Sequence, residues 1–330
     1  MTGPTYSSPL LAAPGAVAAD GADAGVAAHY GDPLLEQRRL EDGVGRVDLS
    51  HRGVVTVTGP DRLSWLHSLT SQALDRLAPG ESTEALLLSP QGHVEHHLRL
   101  VDDGTAVWAT VEPGTAPALV AFLDRMRFLL RVEVADVTAD WAVVFEPGVV
   151  EHERLRSIVV PFGREVLVPR AELAAYVAAD GSPAGVWAYE ALRIAAHVPR
   201  LGLDTDHRSI PNEMGWIPAA VHLEKGCYRG QETVARVHTL GRPPRRLVLL
   251  HLDGSADRLP AHGAPVEAGG RVVGTVGSVA RHHALGPIAL ALVKRAVPVD
   301  APLLADGVAA AQEVVVDPDA GLHVRPTLAR

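Results

Sequence analysis

Cysteine is almost missing from this chain: its 330 residues include one, Cys227. A single cysteine excludes an internal disulfide and suits a reducing compartment, so a cytoplasmic location is expected. It also excludes a four-iron cluster held by this chain alone, since such clusters take four protein ligands. Lysine is nearly as scarce, with only Lys225 and Lys294. Acids outnumber Lys and Arg by 39 to 30, a formal net charge of −9. That balance argues against a general nucleic-acid binder and against an anionic-membrane binder. No apolar run has the length of a transmembrane helix. No strand leads into Gly-Lys-Ser or Gly-Lys-Thr, which excludes a phosphate loop. The Gly-x-Ser-x-Gly elbow of the α/β-hydrolases is also missing.

What is present is apolar residues, at 47% of the chain, enough for two or three domains with cores of their own. Residues 1–28 are rich in Ala, Gly and Pro, carry the acids Asp20 and Asp23 and no base, and read as a disordered tail. Residues 34–40 pattern as a short helix and 54–57 as a β-branched strand. A helix over 61–70 follows, with Leu63, Leu66 and Leu69 on one face. Residues 84–88 and 93–101 read as a hairpin around Ser89-Pro90-Gln91-Gly92, and 105–111 as a third strand. A helix over 113–130, strands over 131–137 and 141–145, and a short helix from Glu151 come next. A strand over 164–168 and helices over 171–179 and 187–197 complete this half. Strands interleaved with helices, in hairpins as well as crossovers, predict an α+β fold. Residues 199–218 form a long irregular loop, of a length that is usually functional or disordered. Past the Pro243-Pro244 linker, short strands at 247–252, 264–267, 271–279 and 287–294 predict a small β-barrel. The expected domains are therefore the tail, 29–241 and 242–330.

The chemistry concentrates in Leu223-Glu224-Lys225-Gly226-Cys227-Tyr228-Arg229-Gly230-Gln231-Glu232. Two glycines bracket the cysteine and point to a tight exposed loop. The run 231–238 reads as a helix stopped by Gly241 and Pro243. Cys227 therefore lies just ahead of a helix N-terminus, between Lys225 and Arg229. Helix N-termini and nearby cations both favour the thiolate form of a cysteine. His93, Glu95 and His97 share one face of a strand, with His96 on the other. Solvated polar residues are the expected reading there, and no metal site is assigned. Arg127 and Arg131 follow an aromatic-containing helix and suit bidentate pairing with a carboxylate.

Lys-Gly-Cys-Tyr-x-Gly-Gln-Glu resembles the signature of the YgfZ family. Those folate-binding proteins are related to the glycine-cleavage T-protein (GcvT, an aminomethyltransferase) and serve iron–sulfur enzymes. The resemblance extends over about 29–295. It includes Gly59-Pro60-Asp61-Arg62 with Leu66-His67, the Ser89–Val94 hairpin, Leu192-Arg193-Ile194-Ala195-Ala196, Gly274–Ser278 and Ile288–Val293. It implies subdomains around a central channel, the last a barrel, and a tetrahydrofolate pocket. By the same resemblance, Cys227 and Lys225 carry the chemistry. Gln91, Gly92, Arg127, Arg131, Arg193, Glu213, Tyr228 and Gln231 border the folate, with both arginines placed for its glutamate tail.

Two positions depart from the pattern. His96 and His97 stand where T-proteins have a pair of aspartates, one of them catalytic. Ala195 stands where many relatives carry a glutamate that contacts the pterin, leaving Glu190 and Glu213 as substitute acids. The function expected is assistance to iron–sulfur cluster assembly or repair in client enzymes, tRNA-modifying ones included, without aminomethyl transfer. The expected state is a monomer that meets client or assembly proteins, with no membrane and no direct nucleic-acid contact. The alternative is a folate-dependent aminomethyltransferase. A third reading, an RNA module built on Arg242, Arg245 and Arg246, lacks interleaved aromatics.

Overall fold

The computed structural model describes residues 6–148, 156–179 and 183–322. Contacts divide the chain into two units. One holds the residues up to His67, Ala73–Ala85 and His96–Ala196; the other holds Ser68–Gln72, Leu86–Glu95 and everything from His197.

The first unit is built on two five-stranded sheets. The β-branched stretch forms the Gly53–Thr58 strand, buried along all but its last residue. It lies between Ala106–Val111 and Glu133–Asp136 and pairs antiparallel with both. Within this unit the sheet continues through residues 96–102 and 82–85 of the next two strands. The second sheet runs Ser157–Val160, Gly163–Pro169, Trp141–Pro147, Arg46–Asp48, Pro183–Ala184. Only its last pair is parallel. Val47, Val143, Phe145, Ile158 and Leu167 face the core with Tyr189 and Ala188 of the Val186–Ala195 helix. The expected α+β arrangement is what the chain adopts. The helix expected over 113–130 is shorter, Ala116–Arg125. Phe128 takes a φ of +47°, which no helix accommodates. The helix expected from Glu151 lies outside the described residues.

The stretch read as a tail is a correction. From Tyr6 onward it carries a 3₁₀ turn, Pro9–Ala12, and a strand, Val17–Ala18, paired with Ala27–His29. Leu10, Val26, Ala27 and Ala28 are buried, and the Ser8 hydroxyl donates to buried Asp48. Low charge and abundant Ala and Gly imitate disorder, but four apolar side chains suffice to dock the segment.

A buried ionic group lies inside the first unit. Glu165 Oε1 accepts from Arg52 Nη1 and Arg99 Nη1, each at 2.6 Å, and from the Tyr189 hydroxyl at 3.1 Å. Its Oε2 accepts from the Thr110 hydroxyl at 3.1 Å. Burial pushes the Glu165 carboxyl up, but Arg99 and Arg52 outweigh it and hold it below its ordinary value.

The second unit contains a closed six-stranded barrel. It begins at Arg245–Leu252 and continues with Pro265–Ala268, Arg271–His282 and Gly286–Lys294. Inside it, large residues face small ones: Val248 pairs with Ala291 and Leu250 with Ala289. Two strands absent from the sequence reading, Leu303–Ala305 and Val308–Val314, close it. The contact boundary falls between Ala196 and His197 instead of at 241, because the irregular loop packs with the barrel. Asp204 Oδ1 accepts from the Ser278 N–H at 2.7 Å, and Asp204 Oδ2 from the Ser278 hydroxyl at 3.0 Å.

Glu165→Gln should lower stability by about 3–5 kcal/mol, because two buried guanidiniums then face a neutral partner. Urea unfolding of the full chain checks this, and a loss under 1 kcal/mol would contradict the assignment.

Candidate functional site

All the side chains around Cys227 described here belong to the second unit. The Gln231–Leu240 helix starts after Gly230, which takes φ +81°, and ends on Gly241, which takes φ +65°. A Cβ on Gly230 would lie 2.5 Å from the Ser89 carbonyl oxygen and 3.0 Å from Gly92 Cα. One on Gly92 would lie 2.7 Å from Thr233 Cβ. The tip of the 89–94 hairpin and the start of the helix therefore meet backbone to backbone. Ser89 shapes that tip: its hydroxyl accepts from the Gln91 and His93 N–H groups at 3.2 and 3.1 Å.

Cys227 is exposed. Its neighbours hold the loop from both sides. Arg229 Nη1 donates to Glu95 Oε2 at 3.0 Å. Lys225, read from the sequence as part of the reactive chemistry, turns inward and is buried. Its Nζ donates to the Thr70 and Gln72 carbonyls at 2.6 and 3.0 Å and sits 5.1 Å from the Tyr228 ring centroid. An ammonium held by two carbonyls anchors the loop. Tyr228 is buried as well, and burial pushes its hydroxyl up to about 12. Gln231 reaches back, its Nε2 3.5 Å from the Lys225 carbonyl oxygen. The corner thus gathers Gln91, Gly92, Lys225, Cys227, Tyr228 and Gln231, with the thiol as its exposed nucleophile.

Glu213, in the same unit, is buried and paired with Arg245, whose Nε and Nη2 lie 2.9 and 2.8 Å from its oxygens. Arg245 also donates to Asp206 at 2.6 Å. Burial pushes the Asp206 carboxyl up, but Arg245 and the Arg208 N–H hold it well below its usual range. Sequence reasoning missed Arg245 as the partner of Glu213. A basic residue beginning a strand gives no local sign of a carboxylate 32 positions earlier.

The remaining predicted residues belong to the first unit. Arg131 donates to Asp61 through its N–H, Nε and Nη2 at 2.9, 3.0 and 2.8 Å. Arg127 has a loose pair with Asp124 at 4.0 Å. Arg193 is fully buried, with Nε and Nη2 at 3.0 and 2.6 Å from Glu190. Ala195 is half-buried, and its helix face carries Ala188, Ala191 and Leu192 and no carboxylate. Glu190 lies off that face and is paired with Arg193. The donor set on this helix therefore does not fit a pterin held by a glutamate at position 195.

His97 is buried, its Nε2 2.8 Å from Glu84 Oε2. Burial pushes the Glu84 carboxyl up, but His97 and Arg99 win and hold it down to about 2, against an ordinary 4.5. Where T-proteins are expected to present an aspartate, this chain has a buried histidine hydrogen-bonded to Glu84.

Residues 245–326 match the model of the glycine cleavage T-protein C-terminal barrel domain. The aminomethyltransferase T of the glycine cleavage system from Bartonella henselae superposes with a TM-score of 0.77 at 20% identity, covering 92% of this chain and 94% of that one. The fold is GcvT-like. An aminomethyltransferase from a Synechococcus strain is 28% identical over 79% of this chain and 82% of its own length. An iron–sulfur cluster assembly factor IBA57 homolog, mitochondrial, from Mycosarcoma maydis is 29% identical over 61% of this chain and 55% of its own length. A putative chloroplastic transferase of Arabidopsis thaliana is 24% identical over 72% of this chain, which spans 62% of that protein. The likeness thus reaches aminomethyltransferases and a homolog of an iron–sulfur cluster assembly factor. No described helix is long and apolar enough to cross a membrane.

Two outcomes test the site's anchoring. Lys225→Met should cost about 1–3 kcal/mol, because it strips a charged donor from two carbonyls, whereas Cys227→Ala should cost under about 0.5 kcal/mol. Denaturant midpoints of the two variants read the difference. Separately, the Glu84–His97 pair should contribute stability above pH 4.5 that is lost as pH falls through about 2. Glu84→Gln should flatten the acid limb of a urea-midpoint profile, and an unchanged limb would mean the pair contributes nothing there.

Proposed function

We propose that this protein assists the assembly or repair of iron–sulfur clusters in client enzymes, tRNA-modifying ones among them, with Cys227 as its point of contact. The observation that carries this reading is an exposed thiol on a loop whose flanking charges are both spent on holding it. Such a thiol is presented for chemistry with something outside the chain. As a single ligand it can bind one iron of a cluster in transit, which makes the contact transient or shared with a partner. The similarity to an iron–sulfur assembly factor supports the same reading.

The runner-up is folate-dependent aminomethyl transfer, favoured by the similarity to aminomethyltransferases. His97 weighs against it, since a histidine locked to Glu84 is no stand-in for a free carboxylate beside a reactive folate nitrogen. Tetrahydrofolate belongs to the proposal as a bound ligand with no step assigned to it. Without an acid at position 195 its affinity should be lower than in relatives that keep one. On this reading the protein works in the cytoplasm, as a monomer that meets its clients.

The test is complementation in cells lacking the native protein, read as activity of an iron–sulfur enzyme. Wild type should restore that activity and Cys227→Ala should abolish the rescue while folding normally. Full rescue by Cys227→Ala would remove the thiol from the mechanism. Turnover dependent on the glycine-cleavage carrier protein would promote the runner-up.

A further inference from the structure

The least expected surface in the first unit is three consecutive apolar side chains. Phe128 is 81% exposed, Leu129 99% and Leu130 43%. Scattered exposed leucines need no explanation, but a run of three at one tip does. The tip is also not slack. On one side the Trp65 indole donates to the Met126 carbonyl at 3.1 Å. On the other, Asp61 binds the Arg131 backbone N–H and its guanidinium. Between these anchors the Leu130 N–H bonds the Arg127 carbonyl at 3.1 Å, and Phe128 takes its left-handed φ of +47°. A framed turn therefore holds the apolar side chains outward. Presenting them in advance cuts the ordering cost of binding.

Charge around the tip narrows what could cover it. Arg125, Arg127 and Arg131 flank it, in a chain of net charge −9. Arg131 is committed to Asp61. Arg127 has only the loose pair with Asp124, and exposed Arg125 makes no ion pair among the described residues. Just before the tip, Arg125 and Arg127 therefore offer two exposed guanidiniums to carboxylates. A lipid surface fits less well: three apolar residues and two available cations are a weak anchor, and the chain's overall charge is repelled by anionic lipid.

We propose that Phe128, Leu129 and Leu130 form a docking element for a protein partner that presents an apolar pocket rimmed by acids on the Arg125–Arg127 side. The proposal is independent of the role given to Cys227. It is tested in the full chain with Leu129→p-benzoylphenylalanine as a photocrosslinker in living cells. A crosslinked protein other than this chain is expected, with a yield at least fivefold lower when Arg125→Glu and Arg127→Glu are combined with the probe. Capture alone does not decide the matter. The captured protein, purified, should bind the unaltered chain and lose at least tenfold in affinity for Phe128→Ser/Leu129→Ser, whose unfolding midpoint should be unchanged. No adduct, an adduct to lipid or to a second copy, or a yield indifferent to charge reversal would overturn the proposal. So would co-sedimentation of the unaltered chain with phosphatidylglycerol vesicles.

Discussion

Two backbones that approach too closely to allow a side chain set the geometry of the thiol loop. Gly92 at the hairpin tip and Gly230 at the helix start each take a left-handed φ, and each sits where a Cβ would strike its neighbour. A larger residue at either place must push the hairpin and helix apart. Around the same corner Tyr228 is buried, Arg229 reaches Glu95 just past the hairpin tip, and Lys225 turns in toward the Thr70 and Gln72 carbonyls. The cysteine is the residue left outside.

The sequence was most legible where one rule acted alone. The barrel strands announced themselves as short apolar stretches between glycine turns, and Arg245–Leu252 begins two residues from its expected start. The Gln231–Leu240 helix was readable because Gly241 closes it in the left-handed conformation that glycine favours. Legibility failed where distant packing decided. Leu303–Ala305 and Val308–Val314 are short and alanine-rich, and they become strands because the barrel offers them edges to pair with. Residues 6–28 look like a tail until their few apolar side chains find a surface. The contact boundary near His197 was invisible because Asp204 joins the irregular loop to Ser278, a link spanning 74 positions.

Charges taught a second lesson. The sequence shows which residues can bind an anion, but not which of them already do. Arg131, Arg193 and Lys225 all have the right chemistry for a ligand's oxygens. In the fold they hold Asp61, Glu190 and two backbone carbonyls. A paired cation can still meet a ligand, but it must first give up a partner, and that exchange subtracts from the affinity. The same reasoning separates Arg245, fully engaged by Asp206 and Glu213, from the thiol, which no described contact claims as its own.

The GcvT-like fold therefore does not by itself select a chemistry, and the particulars of this chain must. A scaffold shared with aminomethyltransferases needs an anion beside the folate to move a one-carbon unit. Here the two positions expected to supply it hold His96 and His97, and His97 is turned to Glu84 inside the first unit. At position 195, where a carboxylate could pair a pterin, this chain has alanine. Both changes subtract from folate chemistry while leaving the fold intact. The loop at Cys227 shows the opposite pattern, with two glycines, a buried lysine, a buried tyrosine and an arginine–glutamate pair keeping one small side chain in the open. Structure invested around an exposed thiol, and withdrawn from the folate contacts, is what favours a thiol-centred role over a transferase.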